Sequence, residues 1–258
     1  MTSSMTSSVT TGRARPRLLA IFTYTLQSCL PPRRWAAVLA ASAGALLFGL
    51  LSHAVNASTP ERAFANVAAE GILGLVVPIA ALVVGDAVLG AEVRSGTFLF
   101  TWMSPAPAWQ IVLGRWAGGA LVGLVTIAPA CALAAVVAGA SSAIGPIFVA
   151  AAVETVSYVA VFIAVGCLTR RTAVWSLAIV FLVERLLGAA LTGIAQLSPT
   201  WESRAVFVGL LDDPPNRLVR EGIPAGGDAI VRLAVVSAVA LAVATWRMRH
   251  MRLSGPSD

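Results

Sequence analysis

The chain contains no lysine; all 18 of its basic residues are arginine. That absence removes the phosphate loop G-x-x-x-x-G-K-[ST], whose lysine reaches the outer phosphates of a nucleotide, and nothing else in the sequence could hold ATP. Histidine is scarce too. His53 and His250 stand at opposite ends of the chain, so there is no H-E-x-x-H helix and no His/Cys cluster with metal-ligand spacing. A G-x-S-x-G elbow is also missing, which argues against an intramembrane hydrolase. The three cysteines, Cys29, Cys131 and Cys167, form no spaced pair, and an odd count in apolar surroundings reads as small fillers rather than a disulfide framework. Charge is thin, at 12% of residues against 58% hydrophobic, and the mean hydropathy is +0.84. An ordinary soluble domain is far more polar. The expectation is an integral membrane protein.

What is there is mostly hydrocarbon in long runs. A helix needs about 20 apolar residues to cross a bilayer, and six stretches qualify: 35–55, 67–89, 111–138, 145–168, 173–195 and 229–246. This predicts an all-α, polytopic protein with six transmembrane helices. Residues 1–16 are Ser/Thr-rich and then basic, without the apolar core of a secretory signal, and read as a disordered cytoplasmic tail. Residues 17–34 read as an amphipathic helix along the interface, closed by Pro31-Pro32-Arg33-Arg34. Residues 35–246 make the six-helix membrane domain and 247–258 a basic tail anchored at Trp246. The external segment 196–228 is expected to carry a short helix near 202–211, lying against the outer leaflet or a partner subunit.

The net charge of +6 follows topology better than nucleic-acid binding. Twelve arginines (13, 15, 17, 33, 34, 94, 115, 170, 171, 247, 249 and 252) fall on one side of the six spans, and five (62, 204, 217, 220 and 232) on the other. This bias places both termini in the cytoplasm of a multi-pass inner or plasma membrane protein. The arginine-only, Ala- and Val-rich usage hints at a GC-rich bacterial gene. Asn56-Ala57-Ser58 then matches the glycosylation pattern by chance. Pro78 and Pro129, inside the second and third spans, are expected to favour kinks. Gly114, Gly118, Gly119 and Gly123 put small residues one turn apart on the third span, for close helix packing.

The stretch around which the rest is organised is 90–115, GAEVRSGTFLFTWMSPAPAWQIVLGR. Glu92, Arg94, Ser95 and Gly96 lead into an apolar and aromatic patch (Phe98, Leu99, Phe100, Trp102, Met103). Ser104-Pro105-Ala106-Pro107 then stops any helix. A short cytoplasmic element pinned between two spans suits handing force to a soluble partner; an interfacial loop with an aromatic belt has the same composition.

Glu92-x-Arg94-Ser95-Gly96-Thr97, then Ser104-Pro105, then Ile111-Val112-Leu113-Gly114-Arg115, resembles the E-x-x-x-GT…(S/T)P…IVLGK signature of type-2 ATP-binding-cassette (ABC) exporter permeases. The basic residue usual a few positions after the proline is replaced by Ala108 or Trp109, while Arg115 keeps the later basic position. The resemblance implies a cytoplasmic coupling helix within 90–110 that sits in a groove of an ATPase subunit. Glu92, Arg94, Ser95, Gly96, Thr97, Phe98, Trp102, Ser104, Pro105 and Arg115 would be the coupling residues. It further implies two ATPase subunits that bind ATP and Mg, a second permease chain as homo- or heterodimer, and export; the largely aliphatic walls permit a hydrophobic or amphipathic substrate. The chain itself would hold no cofactor or metal and catalyse nothing.

Glu154, Glu184 and Arg185 fall inside expected spans, where an ionised side chain is costly and raises a functional hypothesis. Counted from the Arg170-Arg171 turn at about 1.5 Å per residue, Glu154 and Arg185 stand at nearly the same height, roughly 20 to 24 Å. They could form an interhelical ion pair, or line a substrate path with Glu184. Glu70 and Asp86, near the ends of the second span, are expected to reach water. Two readings from other classes remain: an ion- or proton-coupled transporter using Glu154, Glu184 and Arg185, and a non-transporting membrane scaffold or immunity protein.

Overall fold

The computed structural model describes residues 17–29, 32–55, 59–90, 92, 106–169, 171–182, 197–215, 218 and 226–250. Among these no strand occurs, and five helices are long and apolar enough to cross a membrane. We number the helices α1 (Arg17–Cys29), α2 (Pro32–Val55), α3 (Pro60–Gly90), α4 (Ala108–Ala138), α5 (Ile144–Leu168), α6 (Thr172–Leu182), α7 (Pro199–Leu210) and α8 (Gly227–His250). The five that could span are α2, α3, α4, α5 and α8. The run expected at 173–195 begins as the apolar helix α6, and its remainder lies outside the described residues.

Local sequence sets several of these boundaries. Pro60 at the first helical position and Glu61 in the first turn start α3, because proline forfeits only an N–H that has no partner there and a carboxylate suits the positive end of the helix. Pro107, with extended backbone, precedes α4. At the far end of α4, Gly139 turns left-handed (φ 76°). Its N–H and that of Ala140 then bond back to Val136 and Ala135 at 3.0 Å each, closing the helix with a Schellman turn. Around Pro78 the helix widens rather than ends. Residues Ala68–Val76 make π-helical turns and α-helix resumes at Val77, which makes room for a residue that can neither donate its N–H nor tolerate a tight preceding turn. Pro129, by contrast, sits inside an uninterrupted α4.

α3 is the central helix, 72% of its span buried, against 22% for α2 and 28% for α8. The last two therefore leave most of their surface uncovered by the rest of the chain. Small residues bring the neighbours together. A Cβ on Gly114 would lie 2.9 Å from Ile21, and one on Gly118 2.8 Å from Thr25, so these two glycines seat α1 against α4. Gly119 faces Val88 and Val159, and Gly123 faces Thr155, which lets α3 and α5 close on the other side. The glycine spacing is thus used for packing, as expected. The interfacial helix expected at 17–34 is split: α1 ends at Cys29, and Pro32 already belongs to α2.

Candidate functional site

Two polar assemblies interrupt the hydrocarbon, one at one end of the bundle and one reaching from the other end to its middle. The first is built on Arg115, two turns into α4. Although charged, Arg115 is only 1% exposed. Its Nη2 donates to Glu92 Oε2 at 2.7 Å and its Nη1 donates to the Val88 carbonyl. Val88 lies in the last turn of α3, where carbonyls lack intrahelical partners and the helix end is negative. The guanidinium therefore caps α3 while paired with the carboxylate just beyond it. Tyr24 of α1 completes the group: its ring centroid is 5.9 Å from the guanidinium carbon, within cation–π range. Burial, and secondly the Glu92 carboxylate, push the Tyr24 phenol above its ordinary pKa.

Glu92 and Arg115 were both singled out in the sequence, but for contacts to a partner; here they bind each other. The pair closes the base of the segment between α3 and α4. The remaining coupling candidates, Arg94, Ser95, Gly96, Thr97, Phe98, Trp102, Ser104 and Pro105, lie outside the described residues.

The second assembly centres on α7. The segment expected to lie against the outer leaflet or a partner subunit is wedged among α3, α5 and α8, with every residue from Pro199 to Val208 buried except the half-buried Trp201. Its Ser198 side chain accepts from the Trp201 N–H at 3.4 Å, capping the helix start. Thr200 Oγ1 donates to Glu154 Oε1 of α5 at 3.2 Å and shares a 2.6 Å hydrogen bond with Tyr158. Glu154 is fully buried and stands ten residues into α5, about 15 Å from that helix's start. The start of α7 therefore lies near the middle of the bundle. From there α7 runs outward, and the Gly226 N–H, just before α8, donates to the Ala205 carbonyl at 3.3 Å.

Ion pairs clamp this short helix on both sides. Arg232 of α8 donates to Glu202 at 3.2 Å, and Arg204 donates to Glu70 of α3 at 3.0 Å. Positions two apart point about 200° from each other around a helix, so the two charges of α7 hold opposite neighbours. Burial raises the Glu202 carboxyl above the usual range, and Arg232 partly offsets it. Glu70, expected to be solvated, is half-exposed and paired. Between α5 and α8, Ser237 bonds Ser157 at 3.1 Å. Glu184 and Arg185 lie outside the described residues, and with them the expected pairing to Glu154.

Compared with known protein families and with curated proteins, the chain matches none. Chemistry at these positions must therefore be judged from the residues themselves. Among the described residues no three His, Cys, Asp or Glu side chains gather as a metal-ligand set. Tyr158, Thr200, Glu202, Arg204 and Arg232 were not singled out in the sequence. The available signal was Glu202 and Arg204 themselves: two charges on a short helix in a charge-poor chain, with no opposite charge at i+4 to satisfy them.

Proposed function

We propose that this chain is the membrane-spanning permease subunit of an ABC exporter, driven by a separate ATPase subunit. The observation that carries the reading is the Glu92–Arg115 pair. It ties the motif-bearing segment to α3, α4 and, through Tyr24, to α1, so a push on that segment reaches three helices at once rather than a slack loop. ATP-driven closure of two ATPase subunits would supply the push. The bundle would answer by moving between inward- and outward-open or laterally open states. α7, pinned to its neighbours by side-chain pairs rather than by a long packed span, is the element suited to yield.

The arginine bias supports a cytoplasmic location for the Arg115 end and for both termini. A sixth crossing is supported by the path of the chain, since α5 ends at the Arg115 end while α8 begins at the other. The aliphatic walls suit a hydrophobic or amphipathic substrate, and two permease chains, alike or different, would enclose its path in the inner or plasma membrane. Purifying the tagged chain from its native membrane in mild detergent tests this. An ATP-binding-cassette subunit should come with it, with ATP hydrolysis, and be lost on Arg94→Ala or Trp102→Ala. Recovery of the chain alone, without hydrolysis, would sink the proposal.

A second reading is favoured by the buried Glu154 and by the raised Glu202: a proton-coupled transporter using carboxyls around α7. Transport that survives ATP depletion and stops when the proton gradient collapses would select it.

A further inference from the structure

The seam between α4 and α8 holds two hollows of about 400 Å³ each, and Leu241 lines both. The first, walled by Trp116, Val153, Val156, Leu233 and Ala234, is almost wholly apolar. Its only hydroxyls, Ser157 and Ser237, are bonded to each other. The second opens at the Arg115 end between Trp109 and Leu113 of α4 and Trp246, Arg249 and His250 of α8. Both tryptophans are half-exposed there, at 43% and 59%, where indole rings settle at a membrane–water boundary. Beyond them Arg249 is exposed and has no carboxylate partner among the described residues. The His250 ring is held against Trp246, its Nδ1 donating to the Trp246 carbonyl at 2.8 Å.

We propose that this seam binds one anionic phospholipid, with the phosphate at Arg249 and an acyl chain lying past Leu241 toward Ser237. The polarity runs in the right order: cation, indole pair, then hydrocarbon. The length also agrees. From Trp246 at the boundary to Ser237 is nine residues, about 14 Å of helix, close to half of a roughly 30 Å hydrocarbon core. Cations in the last turn of α8 would complement its helix dipole in any case, and Arg247, which lies toward Cys167, does no more than that. The dipole gives no account of a hollow beside Arg249 that shares Leu241 with an apolar trough. Charge complementarity with the anionic cytoplasmic leaflet is worth about five-fold in binding per arginine. The inference is independent of the transport reading.

The test uses the full chain in nanodiscs made with phosphatidylcholine and a minor fraction of phosphatidylglycerol, brominated on the acyl chains of one lipid at a time. Tryptophan quenching should be stronger for brominated phosphatidylglycerol. Arg249→Gln should lower that preference about five-fold, and Arg249→Lys should restore most of it in an equally monodisperse protein. Equal quenching by the two lipids, or a preference unchanged in Arg249→Gln, would show ordinary annular lipid and overturn the proposal. A wild-type dimer that Leu241→Trp converts to monomer, without lipid preference, would give the seam to a second copy and overturn it as well.

Discussion

Arg115 shows what a single buried charge demands. A guanidinium that is 1% exposed is tolerable only with partners of opposite charge or free carbonyls, and Glu92 and Val88 supply both. Removing the carboxylate alone leaves the cation stranded, at a cost of about 3–5 kcal/mol for a fully buried pair and less here, because Glu92 retains some contact with water. Glu92→Gln should therefore lower the melting temperature in detergent more than the double variant Glu92→Gln, Arg115→Leu. A double variant less stable than the single one would contradict this account. Tyr24 reports on the same group. Its raised pKa means that the folded state keeps the phenolic proton longer than the unfolded chain does, so stability should fall as pH rises above about 10, the ordinary tyrosine value. With Tyr158→Phe as background, leaving one of the chain's two tyrosines, Glu92→Gln should bring the alkaline absorbance titration of Tyr24 back toward that value. No shift would mean that Glu92 does not act on it. The sequence marked Glu92 and Arg115 as important but not as partners, because their pairing depends on how the end of α3 meets the second turn of α4, and spacing along the chain carries no information about that.

Elements were more legible than contacts. The limits of the five spans follow hydropathy and proline or glycine punctuation, and the glycines of α4 face the neighbours that their one-turn spacing suggested. Not legible was which glycine tolerates nothing. Gly49 of α2 carries no motif, yet a Cβ there would stand 2.4 Å from the Ala134 carbonyl oxygen of α4, a backbone atom that no rotamer change can move. Gly49→Ala should force α2 off α4 and cost about 1–3 kcal/mol or more. Gly145, at the start of α5, has nothing within 4 Å of the same position, so Gly145→Ala should be neutral or stabilising by up to about 1 kcal/mol. Equal melting temperatures for the two variants would show that α2 is not seated as described. α7 was misplaced for a different reason. Its apolar residues alone look like a surface helix, and only the destinations of Glu202 and Arg204, on helices far away in sequence, draw it into the bundle.

At the scale of the whole molecule, the strongest constraint is which end of the bundle each helix finishes at. Gly90, closing α3, stands beside Thr172, opening α6, and Trp109 of α4 shares a hollow with His250 of α8. At the opposite end, His53 of α2 bonds the Ala138 carbonyl of α4 at 3.2 Å, and Gly226 meets α7. The chain thus leaves α5 at the first end and enters α8 at the second, and in the proposed reading the sixth passage falls between them. With five helices long and apolar enough to cross, that passage would make the number of crossings even and would put both termini on one side, as the arginine bias also favours. The three native cysteines are buried, so a cysteine-free background can be labelled from outside with little interference from them. In sealed, right-side-out vesicles, a membrane-impermeant maleimide should label a cysteine at Ser58 or Ser141. One at Ser8 or Ser254 should react only after the membrane is opened. Labelling of Ser254 but not Ser8 from outside would mean an odd number of crossings. Hydrocarbon runs alone would then have miscounted the passage after α5, and the Arg115 assembly could no longer be placed on the same side as both termini.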